Sequence, residues 1–127
     1  MTAKTAAVIF GLIFVAVGLL GFVDNPIIGT SADAIFHADT IHNGVHIASG
    51  VLFLLVAMAA PASAGTVLKL FGIVYLAVGI VGLVQFGKES GKVLGILHVN
   101  GNDNYLHIAL GILIFLAGFM KSRRLVA

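Results

Sequence analysis

The chain contains no cysteine and has few charged residues. The missing thiols exclude disulfides, thiolate metal sites and a cysteine nucleophile. Charged side chains make up 9% of the 127 residues, whereas a typical soluble domain has about 25%. The net charge is only +2, so the sequence pI near 9.2 does not indicate a basic face, and nucleic acid is not an expected partner. Gly-x-Ser-x-Gly and His-Glu-x-x-His are also absent, so the sequence predicts no catalytic residue and favours a protein that is not an enzyme.

Apolar residues, in contrast, make up 60% of the chain. A water-soluble fold of this size could not bury so much apolar surface, but a bilayer removes that problem. Four apolar runs approach the ~20 residues that a helix needs to cross a membrane. We therefore predict a single all-α membrane domain, 1–127, with spans at about 5–23, 41–60, 66–86 and 103–120. The first run taken alone also fits a secretory signal peptide.

The sequence repeats itself with an offset of 61 residues. Residues 5–60 align without a gap on residues 66–121, with 17 identities in 56 positions. The internal copy of the first run argues against the signal peptide. Each repeat holds two spans, so the repeat predicts a four-helix bundle made of two tandem hairpins with the same orientation. The two hairpins would be related by a pseudo-twofold axis along the bilayer normal.

Basic residues predict the orientation of these hairpins. Five of them lie at the two termini and the central turn, and two lie in the hairpin loops. The first group is Lys4, Lys69, Lys121, Arg123 and Arg124, and the second is Lys88 and Lys92. The positive-inside rule then places both termini in the cytoplasm. Before the second helix of each repeat, residues 34–37 and 95–98 form matched apolar patches, which we expect to lie on the outer membrane interface or to fold back over the bundle.

An Asn-x-x-His-x-x-x-Gly element begins the second helix of each repeat. Its six residues are Asn43, His46, Gly50, Asn104, His107 and Gly111. Spacings of three and seven put the residues of one element on one helix face, with the glycine leaving room beside the imidazole. We expect His46 and His107 to be symmetry mates that point into the bundle, each with a polar partner.

Further polar residues surround this element. His42 precedes His46 by one helical turn, a spacing that allows both imidazoles to bind one metal ion, and Asp103 is its counterpart in the second repeat. His37 and His98 should lie nearby in the loops, more exposed. Polar groups within a span are costly and are therefore candidates for function.

Several roles are open to these residues. A structural role would have the two histidines tie loops to helices. Haem or another tetrapyrrole would need facing imidazoles and flanking aromatic residues, for which the chain offers Phe10, Phe14, Phe71, Tyr75 and Tyr105. A divalent metal such as zinc or copper would use His42, His46, His107 and Asp103. A proton or substrate pathway is the fourth role, although no carboxylate lies at mid-membrane. Ser49 has a leucine as its counterpart and is interpreted as a packing residue.

These observations favour a small, non-catalytic membrane protein that binds a partner or ligand, acting as an accessory subunit or a homo-oligomer. The alternative is a haem, pigment or metal protein that uses His46 and His107 in redox chemistry or sensing.

Residues 71–75 and 97–111 carry a family resemblance. They resemble the bacterial domain-of-unknown-function family 4383, in which four predicted spans and an Asn-x-x-His pattern recur. The resemblance covers nearly the whole chain and implies a bacterial, hence inner-membrane, location. It implies no activity, and His42 is less clearly part of the family pattern.

Overall fold

The computed structural model describes residues 1–29 and 34–121, and these residues are mostly helical. The four helices are α1 (Ala3–Leu20), α2 (Thr40–Ala59), α3 (Ala64–Phe86) and α4 (Gly101–Ala117). They lie at the four apolar runs of the sequence. Three segments are long and apolar enough to cross a membrane, namely Ala3–Leu20, Thr40–Ala59 and Pro61–Phe86. α4 has 17 residues and is shorter than these three. Asp33, Arg123 and Arg124 lie outside the described residues.

Side-chain caps begin three of the helices. Thr2 accepts a hydrogen bond from the backbone of Thr5 before α1, and Asp39 accepts one from the backbone of His42 before α2. Asn100 and Asp103 form a reciprocal capping box at the start of α4. These caps satisfy backbone N–H groups that have no partner within the helix, which fixes where each helix starts.

The expectation of an all-α fold needs a correction in the loops. β1 (Ile28–Gly29) pairs in parallel with β2 (Phe36–His37). β3 (Gly91–Val93) pairs antiparallel with β4 (Leu97–Val99). Strands of two or three residues are too short to show the alternating apolar pattern by which a strand is predicted from sequence. They form here because the backbone of a loop that covers an apolar bundle still needs hydrogen-bond partners. The apolar patches at 34–37 and 95–98 supply β2 and most of β4.

The segments of β2 and β4 are each held by hydrogen bonds with residues at the start of a helix in the other half of the chain. The backbone N–H of His37 donates to Asp103 Oδ2 at 2.8 Å. The carbonyl of Ile35 accepts from the side chains of Asn100 and Asn102. In the opposite direction, His42 on α2 donates from Nδ1 to the carbonyl of His98 in β4, at 2.7 Å. The loops therefore form a common cover over the end of the bundle at which α2 and α4 begin.

Small residues bring the helices into backbone contact. A Cβ built on Gly18 of α1 would lie 2.8 Å from the carbonyl oxygen of Asn43, and one on Gly79 of α3 would lie 2.8 Å from that of Asn104. Helix association in lipid depends on such close packing, because lipid tails are as apolar as the helix surfaces. The apolar core lies between the four helices and includes Phe14, Phe53, Leu68 and Ile114.

Candidate metal centre

Three buried histidines meet beneath the loop cover. His42 and His46 are one turn apart on α2, and His107 extends from α4. Their ring centroids lie 4.6 Å apart for His42 and His46, 5.3 Å for His42 and His107, and 6.1 Å for His46 and His107. One nitrogen from each ring lies within 4.8 Å of the others. The side chains are only 2–8% exposed, so the three imidazoles form one enclosed cluster.

A backbone hydrogen bond orients His42 within this cluster. Its Nδ1 carries the proton, because the His98 carbonyl oxygen 2.7 Å away can only accept. The neutral ring then has its lone pair on Nε2, which is buried and has no hydrogen-bond partner among the described residues. In many metal-binding histidines, a backbone carbonyl that accepts from one ring nitrogen sets the tautomer in this way.

The other two rings also offer nitrogens without partners. Nδ1 of His46 and Nδ1 of His107 are both buried and lack a hydrogen bond within the described part of the chain. Each such nitrogen costs about 1–3 kcal/mol when it is left unsatisfied. A tetrahedral zinc ion with bonds of ~2.0–2.1 Å would need its three ligand nitrogens, one from each ring, roughly 3.4 Å apart. The observed limit of 4.8 Å is close enough for small side-chain rotations to reach that distance.

Aromatic residues enclose the cluster. The ring of Phe14 lies 5.6 Å from that of His46, and the ring of Tyr75 lies 5.8 Å from that of His107. The hydroxyl of Tyr75 is hydrogen-bonded to Ser49 Oγ at 2.8 Å. Ser49 is thus more than a packing residue, and its missing counterpart in the second repeat gave no sign of this bond. Tyr105, in contrast, is 52% exposed.

The asparagines and glycines of the repeated element lie in the helix seams and not beside the imidazoles. The side chain of Asn43 packs against Gly21, and that of Asn104 packs against Gly82. Gly50 faces the backbone of α1, and Gly111 faces the backbone of α3. Although the spacing keeps these residues on one helix face, the atoms nearest to the two glycines belong to the neighbouring helix. No hydrogen bond from either imidazole to these asparagines is found among the described residues.

Asp103, His37 and His98 lie outside the three-histidine group. Asp103 is 3% exposed, and its Oδ2 accepts from the backbone of both His37 and Asn100. The rings of His37 and His98 stack on each other at 3.9 Å, with an angle of 19° between their planes. Both rings are half-buried in the loop cover. Of the four expected metal ligands, the structure brings together His42, His46 and His107. Asp103 instead holds the loop cover in place through its hydrogen bond to His37.

Comparison with known proteins gives a family. Residues 4–120 match the family described as Domain of unknown function (DUF4383). The chain belongs to DUF4383. No curated protein and no solved structure matches it significantly.

Two cavities in this DUF4383 protein reach the histidine cluster. The larger has a volume of about 370 Å³ and lies between α1, α4 and the first loop; we call it the α1–α4 cavity. The smaller, about 130 Å³, lies between α2 and α3. His46 and His107 line both cavities, whereas His42 lines only the smaller one. The cluster thus separates two apolar spaces that lie on opposite sides of the bundle.

Proposed function

We propose that this protein is a non-catalytic membrane protein that binds one transition-metal ion, zinc or copper, through His42, His46 and His107. The observation that carries the proposal is the convergence of three buried imidazoles, each of which also has a ring nitrogen without a hydrogen-bond partner in the described chain. Imidazole is a preferred ligand of both metals. One bound ion would give each of the three imidazoles a partner at one ring nitrogen.

A single ion fits this cluster better than a haem. Bis-histidine haem ligation needs the macrocycle to pass between the two imidazoles. The ring of His42 lies 4.6 Å from that of His46 and 5.3 Å from that of His107, so it occupies the edge of that space. The same third ring completes a set of three ligands for an ion. The geometry therefore favours the metal alternative over haem or a pigment.

A non-catalytic role agrees with the surroundings of the cluster. Three protein ligands would leave a fourth position, as in catalytic zinc sites, where a carboxylate often assists. The nearest carboxylate in the α1–α4 cavity, that of Asp103, already accepts two backbone hydrogen bonds. Binding or sensing of an ion is therefore the activity that we propose, in an accessory subunit of a larger membrane complex or in a homo-oligomer.

We further infer the membrane topology. α4 would act as the fourth span, since 17 residues cover roughly 25 Å and the bundle needs a partner for α3. The matched contacts of Gly18 with Asn43 and of Gly79 with Asn104 support two tandem hairpins of the same orientation. The distribution of basic residues supports cytoplasmic termini in a bacterial inner membrane.

Metal analysis of protein purified gently from native membranes tests the proposal. We expect one equivalent of zinc or copper, and we expect chelator-treated protein to recover one equivalent of Zn²⁺ or Cu²⁺ in titration. Substituting His42→Gln, His46→Gln or His107→Gln should weaken metal binding by at least about 100-fold, since losing a residue that merely hydrogen-bonds to a metal ligand already costs about 10–100-fold. His98→Gln is the matched control and should keep the site, because His98 bonds to His42 through its backbone carbonyl while its ring stacks on His37.

Three results would contradict the proposal. The first is native protein without metal that also fails to bind either ion in titration. The second is undiminished binding in both His46→Gln and His107→Gln. The third is a Soret band in the native protein, which would favour haem. Circular dichroism and gel filtration in detergent establish that each variant is folded.

A further inference from the structure

The α1–α4 cavity has the size and the opening of a site for a membrane-dissolved ligand. Its volume of about 370 Å³ lies within the usual range for ligand pockets, ~300–1,000 Å³. Several of its lining side chains are also exposed on the outer surface of the bundle: Ile13 and Leu20 from α1, and Leu106 from α4. In a membrane-spanning bundle these residues face lipid. The cavity is therefore open to the bilayer between α1 and α4.

The polar groups on the cavity wall are few and specific. Among the described lining residues, only His46, His107 and Asp103 are polar. The two histidines are more than nine-tenths buried, and each has an Nδ1 without a hydrogen-bond partner. An empty apolar cavity would have no need of such groups, whereas a ligand with a polar head would give them a partner.

The chemistry of the wall selects among membrane-dissolved molecules. No lysine or arginine lines the described cavity, and the Asp103 carboxylate would disfavour a fatty acid or a lipid phosphate. The aromatic rings of Phe14 and Phe36 favour a planar ring in the ligand. A hydroxyl can both donate and accept, so it suits the imidazoles whichever nitrogen carries the proton.

We propose that the α1–α4 cavity binds a neutral, lipophilic phenol or quinol that enters from the bilayer and places its hydroxyl against His46 and His107. This proposal concerns the metal-free protein, because an ion held by His46 and His107 would use the same imidazoles. In the metal-free protein the hydroxyl lies against the two histidine side chains that line the cavity. His42 does not line this cavity, so metal binding and phenol binding can be separated by mutation.

Two matched probes test the role of the hydroxyl. 2-Naphthol and naphthalene have the same ring system and differ in one hydroxyl, and both are fluorescent. In chelator-treated protein in detergent, we expect 2-naphthol to bind about tenfold more tightly, the effect of one hydrogen bond to a buried group. In His46→Leu and His107→Leu this difference should disappear while naphthalene still binds. Equal affinities in the unmodified protein would mean that the cavity takes any apolar chain, and would overturn the proposal.

Variants of α1 and α2 test whether the phenol binds in the α1–α4 cavity. Val17→Phe places a large side chain in the cavity and should reduce 2-naphthol binding to the level of partition into empty micelles. Leu12→Phe is the matched control, since Leu12 is on the same helix, is 58% exposed and is not among the described lining residues. His42→Gln should keep 2-naphthol binding even though it loses the metal. Unchanged 2-naphthol binding in Val17→Phe would overturn the proposed site but leave the metal proposal intact.

Discussion

Alanine substitutions at two glycines of α2 test how closely the helices must approach. A Cβ on Gly50 would lie 2.6 Å from the carbonyl oxygen of Gly11 and 2.8 Å from the backbone nitrogen of Val15. Both atoms belong to the backbone of α1, so no side-chain rotation relieves the contact. Restoring an ordinary contact of 3.4 Å would move the helices apart by about 0.8 Å. Overpacking of this kind costs about 1–3 kcal/mol.

Gly44 provides the matched control on the same helix. A Cβ there meets nothing within 4 Å, and replacing a helical glycine with alanine gains about 0.5–1 kcal/mol from backbone entropy. Because this gain is common to both variants, the difference between Gly50→Ala and Gly44→Ala isolates the contact cost. We expect Gly44→Ala to be more stable than the unmodified protein, and Gly50→Ala to be less stable than Gly44→Ala by about 1–3 kcal/mol.

Equilibrium unfolding in mixed detergent micelles, followed by far-ultraviolet circular dichroism, measures this difference. Gly111→Ala, in the seam between α4 and α3, should behave like Gly50→Ala, since its Cβ would lie 2.8 Å from the carbonyl oxygen of Gly72. If Gly50→Ala were as stable as Gly44→Ala, the two backbones would not be in contact, and the explanation of the glycine pattern would be wrong.

Two further predictions concern the buried hydroxyl pair and the topology. Ser49→Ala should lower the free energy of unfolding by about 1–3 kcal/mol, because it leaves the buried Tyr75 hydroxyl unpaired. The Ser49→Ala/Tyr75→Phe double variant should regain most of this loss in a double-mutant cycle, and strictly additive effects would argue against the bond. Because the chain lacks cysteine, Ala62→Cys and Ser90→Cys can each be labelled alone in intact cells, and both side chains are exposed. An impermeant reagent should label position 90 and not position 62, and the reverse pattern would invert the proposed orientation.

The helices could be predicted from sequence because they depend on local signals that recur along the chain. An apolar run that is long enough to cross the bilayer is expected to form a helix, because a helix satisfies its backbone hydrogen bonds within the segment. Gly50 and Gly111 recur at the same place in the repeated element, and both lie where two helices come into backbone contact. The helical spacing predicts which residues share a face but not which neighbours they contact, so it does not reveal that the asparagines and glycines pack against the adjacent helices.

Which residues form the histidine cluster can be predicted only in part from the sequence. His46 and His107 recur 61 residues apart, which suggested that they meet. The part played by His42 depends on a hydrogen bond to the carbonyl of His98, which lies 56 residues away and belongs to a three-residue strand. No local pattern encodes such a contact. Asp103 is a metal ligand by residue type, but its carboxylate accepts a hydrogen bond from the backbone N–H of His37. This contact also depends on the tertiary fold.

His42 and Asp103 lie 61 residues apart, at equivalent positions of the sequence repeat, and have different roles. Each is the third residue of its helix. One turns an imidazole toward the histidine cluster, and the other turns a carboxylate toward the strand of the opposite half. Two identical half-chains would have to use the same side chain twice, and would gain a second imidazole only by losing the carboxylate that anchors the cover. A single chain allows the two positions to differ, so that one side chain can complete the histidine cluster while the other anchors the cover.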